Sequence, residues 1–295
     1  MKTCSFIHFW QGFENNNFLK ENFFKDYEGI DDYTNADIVI INCFGNIRES
    51  IPKIKGKKLL FITEPIYYQY IDLINNNTFD LIFGCINDDN VNNRFKYPLG
   101  FVYMSFFDKN NLKRLNEINS YVKTCDLLNK EKCCLVNRHD NGNTRTPAYN
   151  IFKKNAIHVT CPGNLYNNSS NDELNSIGKI EYSKKFLFSI CSENTLSTPG
   201  YITEKPIECC FGGAIPIYAG NFDDIDAKIY NKNRFLFYNN YNENSCIELE
   251  NKIIYLMNNW NYFEEFYRQE VFLDTAEETI IELKNRLDNK IKDFW

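Results

Sequence analysis

A chain of 295 residues is long enough for one large domain or two of ordinary size. Its apolar content of 43% and aromatic content of 16% exclude wholesale disorder. A formal charge of −6 argues against a general nucleic-acid binder, which needs a basic surface, but leaves room for a local basic pocket around one small anion.

The N-terminal apolar patch is broken by Gln11 and Gly12 too soon for a signal h-region, and no window approaches eighteen uncharged apolar residues. Residues 4–9 read as a strand and 18–27 as an amphipathic helix. Residues 37–43 (DIVIINC) and 58–63 (KLLFIT) are continuous apolar runs, the pattern of strands covered on both faces, and Glu64 follows the second directly. Residues 67–75 predict a helix and 79–84 a strand. From about 108 to 131 the chain is polar without two-fold alternation, which sets a boundary between an N-terminal half, 1–120, and a C-terminal half, 121–295. A second alternation follows: strand 133–136, helix 146–154, strand 157–160, a short helix after the loop 162–171, then strands 185–191, 215–218 and 235–238. Residues 248–292 carry long helical patterns, including Leu249, Ile253, Leu256 and Phe263. Strands alternating with helices predict an α/β fold of two doubly wound Rossmann-type domains facing a cleft.

Eleven cysteines are scattered, odd in number and without CxxC or Cys/His spacing, so buried free thiols are expected. His8, His139 and His158 are too scattered for a metal site. The run Asp223-Asp224-Ile225-Asp226 contains a D-x-D element and is expected to be a solvated acidic turn.

Residues 186–220 concentrate the chemistry. An apolar strand ends in the polar turn Ser192-Glu193-Asn194, and Tyr201-Ile202-Thr203-Glu204-Lys205 opens a helix with Thr203 as expected N-cap and Pro206 in the first turn. Such a junction is where an α/β sheet binds its ligand. Glu204 suits the positive end of a helix, whereas Lys205 there makes electrostatic sense if an anion such as phosphate is bound.

This segment, SENTLSTPGYITEKPIECCFGGAIPIYAG, resembles the signature of the α1,3/1,4-fucosyltransferases, glycosyltransferase family 10, nearest to the soluble bacterial-type members. Glu193, Asn194, Tyr201, Thr203, Glu204, Lys205, Gly213, Pro216 and Gly220 fall on the pattern. Ser192 replaces its aromatic residue, and the spacer before Tyr201 is one residue longer. Weaker similarity extends through 5–13, 58–65, 93–99 and 136–149. The resemblance implies a GT-B-like fold with GDP-fucose held mainly by the C-terminal half and fucose transferred with inversion to a glycan hydroxyl. It implies Glu64 as catalytic base, with Pro65 where the family usually has asparagine. It implies Arg145, Glu193, Asn194, Tyr201, Glu204 and Lys205 as donor-binding residues, with Arg138 competing for the arginine role and Glu193 alternatively holding the loop. No metal site and no obligatory cofactor are expected, although a divalent cation could stimulate. The expected partners are GDP-fucose and a glycan acceptor, without nucleic acid or a transmembrane anchor. Peripheral membrane contact through Arg268, Arg286, Lys290 and Lys292 would be weak, and a cytoplasmic location is expected. The alternatives are another nucleotide-sugar donor, or a non-catalytic member that binds nucleotide or glycan.

Overall fold

The computed structural model describes residues 1–65, 67–87, 93–97, 99–100 and 109–294, with side chains except at 15, 16, 67, 68, 109 and 110. The chain divides into two compact units, the first Met1–Phe107 with Thr198–Tyr201 and Ile281–Trp295, the second Asp108–Ser197 with Ile202–Ile280.

The first unit is built on β1 (Thr3–Ile7), β2 (Glu28–Gly29), β3 (Ile38–Ile41), β4 (Lys57–Ile62), β5 (Leu81–Gly84) and β6 (Arg94–Lys96), all parallel in the order β2-β1-β3-β4-β5-β6. Its described helices are α1 (Phe18–Phe23), α2 (Ile47–Ser50) and α3 (Ile71–Asn75), the last preceded by a 3-10 turn over Tyr67–Tyr70. All four residues of β3 are fully buried, as a strand covered on both faces requires.

The second unit repeats the plan. Its strands are β7 (Glu131–Cys134), β8 (Val159–Thr160), β9 (Phe186–Ile190), β10 (Ile215–Tyr218) and β11 (Leu236–Phe237), again parallel, in the order β11-β10-β9-β7-β8. Helices α4 (Lys109–Thr124), α5 (Thr146–Lys154), α6 (Asp172–Ser183), α7 (Lys205–Phe211), α8 (Glu243–Asn258) and α9 (Trp260–Tyr267) accompany it. The unit division falls within the final helix, α10 (Ala276–Lys292), whose Leu287 and Ile291 join the first unit's core. Strand order reverses between β1 and β3 in one sheet and between β7 and β9 in the other. Open α/β sheets bind ligands at the carboxyl ends of strands at such switch points.

Two features depart from the sequence reading. The polar stretch after residue 108 contains α4, whose Leu112, Leu115, Ile118 and Val122 are buried at helical spacing. That stripe, Arg114 stacked 4.8 Å from the Phe211 ring, and Asn119 hydrogen-bonded to the backbone of Val271 and Phe272 tie α4 to the second unit. The division therefore falls before α4 rather than at 120, and the C-terminal residues return to the first unit instead of remaining in the second. All eleven cysteines are free and eight are buried, which makes them packing groups rather than cross-links. Among the described residues, no helix is long and apolar enough to cross a membrane.

Candidate active site

In the second unit the chain leaving β7 and the chain leaving β9 form the two walls of the switch point. The β7 wall, residues 135–145, folds around Asp140. Its carboxylate accepts from the backbone N–H groups of Thr144 (2.9 Å), Arg145 (3.1 Å) and Thr146 (2.7 Å), and from the Thr146 hydroxyl (2.7 Å). Burial opposes the charge of Asp140, but these bonds and the nearby Arg145 hold its carboxyl below the ordinary range. Gly142 is required by close approach, because a Cβ there would lie 2.0 Å from the Asn194 carbonyl oxygen.

Arg145 ties the two walls together. Its guanidinium is fully buried and donates to the carbonyls of His139 (3.0 Å) and Ser192 (2.8 Å) and to Asn194 Oδ1 (2.7 Å), with Asp140 at 3.6 Å. Ser192, standing where the family motif has an aromatic residue, accepts from Ala219 N (3.0 Å) and is hydrogen-bonded to the Tyr238 hydroxyl (2.9 Å). Tyr238 in turn donates to the Thr144 carbonyl.

Glu193 is a second buried hub. Its carboxylate accepts from Thr203 N (2.8 Å), Thr203 Oγ1 (2.6 Å) and the Tyr218 hydroxyl (3.0 Å), with Lys205 Nζ at 3.5 Å. Burial pushes its pKa up despite the attraction of Lys205. Helix α7 begins at Lys205, capped by Glu204 without a side-chain bond, so Thr203 is not the N-cap expected from the sequence. Its hydroxyl is instead used by Glu193 and accepts from Lys205 Nζ at 2.9 Å.

Between the walls lies a pocket of 810 Å³ bordered by Arg138, His139, Lys179, Asn194, Glu204 and Lys205. Burial works against the charge of Glu204, but Lys205 and Lys179 outweigh it and hold the carboxyl below its ordinary range. The pocket brings Asn194, Glu204 and Lys205 together. It does not bring Arg145 or Glu193 to its surface, since both are fully buried behind it. Arg138 is the exposed arginine on the pocket wall. Tyr201 is buried in the apolar core of the first unit, following Gly200, whose φ of +70° turns the chain.

Glu64 stands in the first unit, two residues beyond β4, and is partly exposed. Thr63 Oγ1 lies 3.5 Å from Cys43 Sγ at the end of neighbouring β3. Burial, assisted by the charge of Glu64, pushes the Cys43 thiol pKa up. Pro65 restricts the backbone of Glu64 to extended conformations.

The acidic run near residue 224 also differs from expectation. Asp226 is fully buried, because Asp223 and Asp226 accept one another's backbone N–H groups and so close the turn on itself. Among the described residues, no three His, Cys, Asp or Glu side chains cluster so as to hold a metal ion. Sequence reasoning missed Lys179, which has no motif around it beyond the preceding glycine.

The model of the C-terminal part of glycosyltransferase family 10 (fucosyltransferase) matches residues 125–286, more than half of the chain. The chain belongs to glycosyltransferase family 10. This glycosyltransferase is also similar to three solved structures: a crystal structure of α1,3-fucosyltransferase, one with GDP and one with GDP-fucose. They are 20%, 18% and 19% identical, with TM-scores of 0.68, 0.67 and 0.65. Each match covers 98% of this chain and 90% of the other. The likeness shows a shared GT-B-like α/β fold with two parallel sheets. No curated protein matches the chain significantly.

Proposed function

We propose that this family 10 enzyme transfers L-fucose from GDP-fucose to a hydroxyl of a glycan acceptor, with inversion, as an α1,3-type fucosyltransferase. The observation that carries the reading is the 810 Å³ pocket at the β7/β9 switch point, where the cations Arg138, Lys179 and Lys205 and the carboxylate of Glu204 converge. Support comes from the family and from the similar α1,3-fucosyltransferase structures described with GDP and with GDP-fucose.

In this reading Glu204 accepts hydrogen bonds from ribose hydroxyls, and Arg138 and Lys205 answer the diphosphate. Asn194, held by Arg145, hydrogen-bonds phosphate or sugar. Arg145 and Glu193 shape the donor pocket from beneath rather than touching the ligand, and Tyr201 fixes the approach to α7. Glu64 takes the proton of the acceptor hydroxyl as its oxygen attacks the anomeric carbon, opposite the departing diphosphate. The bond from that carbon to the phosphate oxygen breaks, and GDP leaves with the electron pair. The charge growing on GDP is met by cations already fixed in place, which is the cheapest way to stabilise a transition state.

Lys205→Ala is expected to weaken GDP binding by about 10- to 100-fold, the scale of losing a charge-assisted hydrogen bond. Calorimetric titration checks this, and unchanged affinity would move the diphosphate elsewhere. The donor reading is tested by turnover of GDP-fucose beside other GDP- and UDP-sugars. Preference for GDP-fucose supports it; turnover of another donor alone overturns it.

A further inference from the structure

We propose that Lys179 is a second donor-binding lysine that changes partner, leaving Glu208 for the diphosphate when the nucleotide binds. The inference rests on the donor reading above and assigns a residue that the family motif does not contain.

Helix α6 is broken in its middle by Gly178, at φ 78° and ψ 164°. No heavy atom lies within 4 Å of a Cβ placed there, so the glycine serves backbone conformation rather than space. The break sets Lys179 at the boundary between two cavities. It borders the 810 Å³ pocket and also a chamber of about 40 Å³ behind it. Lys205 borders both as well, whereas Glu208 and Cys209 line only the chamber. The two ammonium-bearing side chains therefore border both cavities.

Lys179 Nζ is drawn toward Glu208 Oε2 at 3.3 Å, and the two side chains are 46% and 26% exposed. An ion pair of that length and exposure is weak and solvent-screened. Lys205 is held more firmly, 14% exposed between Thr203, Glu193 and Glu204. Of the two, Lys179 is the cation with freedom to move. A diphosphate carries more charge than one carboxylate and offers several acceptor oxygens, so it competes well for the ammonium. Glu208 is a reluctant partner, because burial lifts its carboxyl above the ordinary range against the pull of Lys179, and its side chain is 26% exposed to solvent.

The experiment titrates GDP and guanosine into wild type, Lys179→Met, Lys179→Arg and Glu208→Gln, with thermal melting to verify folding. Lys179→Met is expected to bind GDP about tenfold or more weakly, with guanosine affinity unchanged and Lys179→Arg recovering most of the loss. Glu208→Gln is expected to bind GDP at least as tightly as wild type, because the competing carboxylate charge is gone. Unchanged GDP affinity in Lys179→Met, or equal losses for GDP and guanosine, overturns the contact with phosphate. Weakening in Glu208→Gln comparable to that in Lys179→Met overturns the exchange, since Glu208 would then be holding the lysine in its binding position. Wild type that fails to bind GDP refutes the donor reading itself and this proposal with it. If wild type binds and Lys179→Met does not differ, only this proposal falls.

Discussion

Glu64→Gln is expected to lower kcat for fucosyl transfer by about 10²-fold or more, the scale of losing a general base. GDP affinity should be unchanged, because the proposed donor pocket is lined by Arg138, Asn194, Glu204 and Lys205, all within the second unit. The amide is nearly isosteric with the carboxylate but cannot take the acceptor proton. Glu64 follows β4 closely and its backbone is restricted by Pro65, so the substitution should alter chemistry rather than folding. Steady-state kinetics with a calorimetric control separate the two effects. A variant that retains wild-type kcat would remove Glu64 from the mechanism.

Arg145→Met should act on stability first. The guanidinium is fully buried and satisfies the carbonyls of His139 and Ser192 as well as the Asn194 amide oxygen. Removing it leaves those acceptors unmet and Asp140 without its cation. Breaking a buried pair on one side costs about 3–5 kcal/mol. The expected result is a large fall in the denaturant midpoint, with any loss of GDP binding following the loss of folded protein. A variant of wild-type stability that no longer binds GDP would instead make Arg145 a direct phosphate ligand.

The difference between Arg145 as a ligand and as a brace shows which parts of the site were legible in the residues. Strands such as β3 and β4 are readable because burial on both faces leaves continuous apolar runs, IVII and KLLFI among them. Helix α5 is readable because Pro147 marks its first turn and apolar residues recur along one face. The edge strands Glu28–Gly29 and Arg94–Lys96 are two and three residues long, too short to impose a pattern. Helix α4 hides its apolar stripe among charges, so a buried helix resembles a linker.

Within the site, the motif identifies the charged residues but not the direction each one faces. Glu193 is buried because Tyr218, 25 positions away, reaches its carboxylate, and Arg145 because the Ser192 carbonyl, 47 positions away, reaches its guanidinium. A loop residue paired with a distant backbone carbonyl has the same local sequence as one facing water. Lys179 illustrates the converse, since its place on the pocket wall follows from a helix break at Gly178 and from the fold that sets α6 beside α7.

The most direct measurement is GDP-fucose transfer by the wild-type enzyme across a glycan array, with the linkage of any product determined by NMR. The expected products are fucosylated glycans carrying an α-linked fucose, the anomer that inversion of the β-linked donor gives. No transfer across the array by protein that binds GDP, or a β-linked product, would contradict the proposed function.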